Sequence, residues 1–372
     1  MMQPSRAALA QTRRLVVKLG TNVIMRADGL PALGRLFGIL ESVATLGHQG
    51  KEVLLVSSGA IGLGAQQLGL DHAPKLLAEK QACAAVGQGR LMALYQEGFA
   101  RLGIVAAQVL LTEYDFSNRR RYLNLRATLD HLLKLGVVPI INENDTVSTT
   151  ELEEPGDFHT TPVFGDNDKL SALVASGVEA DTLLILSDVA GLYTGNPHKD
   201  PEATLIPRVG ELTPEIVACA DGGSERGRGG MASKLAAVRV ATQAGCRVLI
   251  ADGACPGILD QVLAGREVGT LFEPGPRLKG RKRWIAHAGQ LSGRIRVNAG
   301  AREALQAGRV SLLAAGVVAL EGDFERDDVV AIADEQGHDF ARGVATMGQA
   351  EAGNDPARVL VSRDTFVLTE QP

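Results

Sequence analysis

The chain is poor in the features that mark special environments. Of its 372 residues only four are cysteine, Cys83, Cys219, Cys246 and Cys255; none has C-x-x-C spacing and none stands beside a histidine in a ligand pattern. That excludes a disulfide scaffold and a structural zinc site, and it fits small buried thiols in a reduced cytoplasm. No run of about 18 apolar residues occurs, the length a membrane-spanning helix needs, and the first residues, MMQPSRAALAQTRR, lack the apolar centre of a secretory leader. A cytoplasmic protein without a membrane partner is expected. Basic charge is not in excess: the net charge is −5 and the pI is near 5.9, so a nucleic-acid partner is not expected. From Leu291 onward there is no lysine, and eight arginines against thirteen acidic residues account for the whole net charge.

What is present is enough apolar residue, 45%, for a sizeable core, and enough length for two or more domains. Apolar runs at 15–19, 53–56, 104–110, 137–141, 182–186 and 246–251 read as strands. Between them lie segments with helical periodicity at 31–46, 75–101 (interrupted by Gly87 and Gly89), 119–135, 169–176 and 231–244. This alternation specifies a mostly parallel sheet with helices on both faces. It stops near residue 270, where a Pro/Gly segment and the basic run 279–283 read as a solvated linker. Short strands at 294–297, 317–320, 329–332 and 358–361 and one helix near 301–306 then suggest a small, mainly β domain.

Chemistry-bearing residues gather where these strands end. The stretch 138–170 carries two polar clusters, Asn142-Glu143-Asn144-Asp145 and Gly165-Asp166-Asn167-Asp168, around a long loop. In α/β folds ligands bind beyond the carboxyl ends of the strands, although Asn and Asp also serve as turn formers and N-caps. Walker A spacing is absent around 229–234, and no third glycine completes a dinucleotide pattern after Gly62 and Gly64. EF-hand, nucleophile-elbow and zinc patterns are likewise absent. Gly227 to Gly230 before a helix would let backbone N–H groups approach an anion. Lys234 in that helix's first turn opposes the macrodipole unless it faces a phosphate, and Lys18 ends a buried strand. Two lysines, Gly-rich loops and carboxylates at one edge fit phosphoryl transfer with Mg²⁺; a snorkelling Lys18 and a flexible Gly linker are the plainer readings.

Seven ordered motifs sharpen the choice. Lys18-Leu19-Gly20-Thr21, Ser57-Ser58-Gly59-Ala60, Lys80-Gln81-Ala82 with Ala85-Val86-Gly87-Gln88, Asn142 to Asp145, Gly165 to Asp168, Ser187-Asp188 with Gly191-Leu192-Tyr193, and Gly229-Gly230-Met231 with Lys234 resemble the amino acid kinase family, in its glutamate-phosphorylating branch, over about residues 15–284. The C-terminal part resembles a PUA domain. The resemblance implies a three-layer α/β/α sandwich with a mostly parallel sheet over 12–272, a linker over 273–289 and a mainly β PUA-like domain over 290–372. It further implies transfer of the ATP γ-phosphoryl group, with Mg²⁺, to the side-chain carboxylate of L-glutamate, the first step of proline biosynthesis.

By family position, Lys18 and Lys234 would neutralise the phosphoryl group and Asp168 would orient both. Ser58, Asp145 and Asn167 would hold glutamate: Asp145 its α-ammonium, the hydroxyl and amide its carboxylates. Ser187, Asp188, Gly229, Gly230 and Met231, with the two lysines, would hold nucleotide. The resemblance also implies a homo-oligomer, dimer or tetramer, feedback inhibition by proline, and glutamyl phosphate reductase as the next enzyme.

Two departures stand out. Arg228 replaces the family's usual threonine, and the segment between Asp145 and Asp166, with Glu151, Glu153, Glu154, Pro155 and His159, is longer than usual, as a lid or as a tolerated surface insertion. The alternatives are acetylglutamate or aspartate kinase activity, and RNA binding by the PUA-like domain with a non-catalytic kinase-like part. The carboxylate excess beyond Leu291 argues against the last.

Overall fold

The computed structural model describes residues 4–147, 167–197, 199–220, 230–275, 280–286, 291–308, 310–351 and 355–369. The expected lid or insertion at 151–164, Gly165, Asp166 and the glycine turn 227–229 lie outside them. By their contacts the residues divide into two compact units, one of 1–112, 126–148 and 164–277, the other of 113–125, 149–163 and 278–372.

The first unit is built on one eight-stranded sheet. Its strands are β1 (Arg14–Leu19), β2 (Glu52–Ser57), β3 (Ala106–Leu111), β4 (Val138–Glu143), β5 (Thr182–Ser187), β6 (Arg208–Val209), β7 (Arg247–Asp252) and β8 (Thr270–Phe272), in the order β3-β4-β2-β1-β5-β7-β8-β6. All neighbours pair in parallel except β7 and β8. The expected mostly parallel α/β sandwich is what forms; β6 and the antiparallel β8 are additions, too short to show in the sequence pattern.

Side-chain alternation divides the core between two faces. Leu15, Val17 and Leu19 of β1, with Leu55, Ile140, Leu184 and Leu249, pack in one cluster with helices Leu33–His48, Leu77–Arg101 and Ile258–Leu263. Lys18 is thereby turned to the opposite face, where helix Asn167–Gly177 packs over β1, β2, β4 and β5 and against helix Met231–Gln243. Every residue of helix Asn167–Gly177 from Leu170 to Gly177 is buried, which explains its apolar composition all round.

The expected interruption of the long helix at Gly87 and Gly89 does not occur: Leu77–Arg101 is continuous. Gly87 is instead a crossing point. A Cβ there would stand 1.8 Å from Ala60 O, and one at Gly64 of helix Ala60–Gln67 would stand 1.8 Å from Cys83 O. The two helices approach backbone to backbone because each offers a glycine to the other. Gly89 meets nothing within 4 Å.

The second unit has a six-stranded sheet of β9 (Gly293–Val297), β10 (Leu312–Leu313), β11 (Val317–Glu321), β12 (Val329–Ala333), β13 (Asp339–Ala345) and β14 (Val359–Leu368), in the order β10-β14-β13-β12-β9-β11. Only β12 and β9 run parallel. β13 and β10 were not expected from the sequence: Gly343 breaks the apolar alternation of the first, and the second is two residues long. The basic segment expected as solvated linker forms helix Gly280–Ala286, with Arg283 and Trp284 2% and 3% exposed. The reason is the indole: Trp284 Nε1 donates to Phe116 O at 2.8 Å and its ring lies under the Arg119 guanidinium, 5.0 Å away. Among the described residues no helix is long and apolar enough to cross a membrane.

The glycine crossing is directly testable by thermal melts. Gly64→Ala and Gly87→Ala each force the helices apart and should cost ~1–3 kcal/mol or more, several degrees of Tm. Gly89→Ala, at an exposed helical position, should leave the melting temperature level or raise it. Three equal melting temperatures would sink this account of the crossing.

Candidate active site

The C-terminal ends of β1, β2, β4 and β5 meet the N-terminus of helix Asn167–Gly177. Lys18 lies in β1 between Val56 of β2 and Ile185 of β5, so its stem is packed among apolar neighbours and its ammonium emerges at the sheet's edge. There it meets Asp168, in the first turn of the helix, which is 0% exposed. Lys18 Nζ is 2.5 Å from Asp168 Oδ1, and Lys234 Nζ is 3.3 Å from Asp168 Oδ2. Both lysines are buried. Two ammonium groups thus converge on one carboxylate in a place where burial makes unpaired charge expensive, and the charge of Lys234 also acts on Asp188. The helix N-terminus favours the carboxylate. Two ammonium groups converging at the strand ends suit a ligand anion.

The preceding residue serves the other side of the sheet. Asn167 Nδ2 lies 3.1 Å from Ser57 O, 3.0 Å from Ser58 Oγ and 2.9 Å from Asn142 Oδ1. Asn142 in turn donates from Nδ2 to Gln88 Oε1 at 2.8 Å. Ser57 Oγ shares a 2.7 Å hydrogen bond with the hydroxyl of Tyr95, which is buried, so its pKa is raised. Ser58 N donates to Leu19 O, tying the end of β2 to β1. Asp145 stands half-buried in the turn after β4. Burial alone pushes its carboxyl up to about 6, because no hydrogen bond or cation among the described residues offsets the desolvation. A cationic ligand group would lower it again.

At the end of β5, Ser187 is buried and Asp188 is exposed. Ser187 Oγ donates to Asp188 Oδ1 at 3.0 Å and Asn22 Nδ2 donates to Asp188 Oδ2 at 2.6 Å. Partial burial works to raise the Asp188 carboxyl, but these two bonds, its own backbone N–H and the charge of Lys234 prevail and hold it below the usual carboxylate range. Gly230 is the exposed N-cap of helix Met231–Gln243, and Met231, its first residue, is partly buried. Gly229 lies outside the described residues.

The structure therefore joins Lys18, Asp168 and Lys234 in one cluster and Ser58 and Asn167 in another, and stands Ser187 and Asp188 at the adjacent strand end. Asp145 is at the same sheet edge without touching either cluster through a hydrogen bond. Asn142, Gln88, Asn22 and Tyr95 are the connecting residues that sequence reasoning did not single out. Asn142 and Gln88 were visible as members of quoted motifs; Asn22 follows the Gly20-Thr21 turn; Tyr95 had only helical spacing, two turns beyond Gln88, to mark it.

The model of the amino acid kinase family matches residues 13–252, and that of the PUA domain matches residues 293–354. The chain is 50% identical over 343 residues to a protein of Myxococcus xanthus named glutamate 5-kinase, covering 91% of this chain and 88% of that one. It is 48% identical over 342 residues to the glutamate 5-kinase of Moorella thermoacetica, again covering 91% and 88%. To that of Synechococcus elongatus it is 46% identical over 374 residues, covering 95% and 99%. A lysine pair clamped on a buried aspartate at the strand ends, a family match over more than half the residues and relatives of this similarity along nearly the whole length lead to one conclusion: the chain belongs to the amino acid kinase family.

Proposed function

We propose that the protein transfers the γ-phosphoryl group of ATP to the side-chain carboxylate of L-glutamate, giving L-glutamyl 5-phosphate and ADP, the first step of proline biosynthesis. The observation that carries this reading is the Asp168 carboxylate shared by Lys18 and Lys234 at the edge where the amide cluster lies; the names of the relatives supply the substrate. A carboxylate oxygen attacks the γ-phosphorus, the bond to the β,γ-bridging oxygen breaks, and ADP departs with the electron pair. No general base is required, since the acceptor is already ionised at pH 7. The work left to the protein is positioning and charge neutralisation.

In this reading Lys18 and Lys234 face the phosphoryl group in flight, and Asp168 fixes the direction of both. Ser58, Asp145 and Asn167 hold the amino acid; Ser187, Asp188, Gly229, Gly230 and Met231 hold the nucleotide. No group of three or more His, Cys, Asp or Glu residues gathers as a cation cage among the described residues, and Asp168 is committed to the lysines. Mg²⁺ would accordingly be held through the ATP phosphates, whose charge it offsets. Residues 12–272 carry the chemistry, 273–289 connect, and 290–372 are an appended module. Cytoplasmic location, a homo-oligomeric state, inhibition by proline and delivery of the labile acyl phosphate to glutamyl phosphate reductase belong to the same reading.

Hydroxylamine trapping tests it. With ATP and Mg²⁺, L-glutamate should yield a hydroxamate while aspartate and N-acetylglutamate do not; a hydroxamate from either of those and none from glutamate would overturn the assignment. Lys234→Ala should lower kcat by about 10²–10³-fold, the scale of one preorganised charge stabiliser, with little change in glutamate affinity. A near-normal rate would remove Lys234 from the mechanism.

The raised carboxyl of Asp145 gives a pH dependence. Above about pH 6 it is ionised and can pair with the α-ammonium; below that it takes up a proton and the pairing is lost. KM for L-glutamate should rise as pH falls through about 6, approaching tenfold per pH unit, and Asp145→Asn should abolish this slope. A KM independent of pH between 5 and 7 in the unaltered protein, values bracketing the carboxyl's shifted pKa of about 6, would remove Asp145 from ammonium binding.

A further inference from the structure

Gln88 belongs to the Ala85-Val86-Gly87-Gln88 stretch, to which none of the roles above assigns a task. Its position is set firmly. Gly87 beside it is the point where the helix crosses under Ala60. Tyr95, two turns further along the same helix, bonds to Ser57 Oγ. The helix that carries Gln88 is thus anchored to the strand end that carries the Ser57 carbonyl.

That carbonyl decides the direction of three side-chain amides. A backbone carbonyl only accepts hydrogen bonds, so the end of the Asn167 amide lying 3.1 Å from Ser57 O is its NH₂ group. The same nitrogen reaches Ser58 Oγ at 3.0 Å and Asn142 at 2.9 Å. Asn142 must therefore turn its oxygen toward Asn167 and its NH₂ toward Gln88, whose Oε1 accepts at 2.8 Å. Two atoms of the relay are buried with no partner among the described residues, Asn167 Oδ1 and Gln88 Nε2. A buried acceptor that no protein group satisfies is costly and invites a donor from a ligand.

The geometry points to Gln88 as a positioning residue for the amino-acid substrate: by accepting from Asn142, it anchors the far end of the amide relay whose direction Ser57 O sets, and so holds Asn167 Oδ1 where it can accept from the substrate's α-ammonium. This rests on the proposed assignment of Asn167 and Asp145 to the amino acid, and it changes what Asn167 does there. The NH₂ group of Asn167 is already committed inside the protein, so this residue receives a hydrogen bond from the ammonium and does not give one to a carboxylate. Without Gln88 Oε1, the NH₂ of Asn142, which is 3% exposed, has no acceptor. Asn142 then keeps only the bond from Asn167 and loses its second anchor, so Asn167 and the acceptor it aims at the ligand are held less firmly.

The test compares L-glutamate with glutarate, the same diacid without the amine, by isothermal titration calorimetry. Gln88→Met keeps the volume and removes the accepting oxygen; it should weaken glutamate binding by about three- to tenfold, the worth of one hydrogen bond, and leave glutarate within about twofold. Gln88→Glu restores an accepting oxygen and should recover most of the glutamate affinity. The dissociation constant of ATP serves as the check on the fold. Equal weakening toward glutamate and glutarate, or unchanged glutamate binding in Gln88→Met, would overturn the role. A wild-type chain that forms no hydroxamate from L-glutamate would fail the functional reading separately. The comparison would then use the amino acid that does bind and its deaminated counterpart, and equal weakening of that pair would again overturn the role of Gln88.

Discussion

The site depends on one buried carboxylate. Asp168 is fully enclosed, and its two oxygens are divided between Lys18 and Lys234. Each lysine comes from a different element, a central strand and a helix start, and burial makes a partner for each necessary. The carboxylate thus decides where two cations can stand. Two cations held in a low-dielectric setting by groups that need not move suit the strand ends to an anion. The start of helix Asn167–Gly177 supports the arrangement, since its partial positive charge stabilises the aspartate.

Asn167 and Asp168 are consecutive yet serve opposite faces of the sheet. Asp168 reaches the lysines on the face that helices Asn167–Gly177 and Met231–Gln243 cover. Asn167 reaches Ser57, Ser58 and Asn142 and, through Asn142, the long helix Leu77–Arg101 on the other face. A helix beginning over the strand ends is the only kind of element that can do both at once, because its first turn offers side chains in diverging directions just where the sheet stops. The charge cluster and the amide relay are therefore held at a fixed separation by one peptide unit. A reaction that joins a phosphoryl group to a carboxylate requires that kind of spacing between its two binding regions.

Much of this was legible before any coordinates. The buried strands read directly from Val, Leu and Ile runs, as in 15–19 and 182–186, because a parallel strand covered on both faces has no polar side to confuse the pattern. Lys18 and Lys234 were legible because a cation ending an apolar strand or opening a helix contradicts local preference, whereas Asp168 suits a helix start and took its role from the family resemblance. The misses have equally physical causes. Gly87 read as an interruption, yet the helix continues because the absent Cβ is used for close approach, a need that arises only from the partner helix. In the basic run, Arg281 and Lys282 are exposed as read, yet Arg283 is carried with Trp284 into a packed helix by way of Phe116, a residue far away in sequence. Strands of two or three residues, such as β6 and β8, carry too few side chains for any period to register.

Composition and periodicity by themselves determined the class of fold, the edge at which polar and charged residues gather and the residue types found there, since these follow from burial and from the chemistry of single side chains. Only the tertiary structure decided which groups share a partner. That Asp168 serves both lysines, that Ser57 O sets the direction of Asn167, Asn142 and Gln88, and that Asp145 stands apart with a raised carboxyl are consequences of distance and enclosure. Hydrogen bonds and charge pairs form between groups that the fold brings together, and sequence order does not encode that proximity.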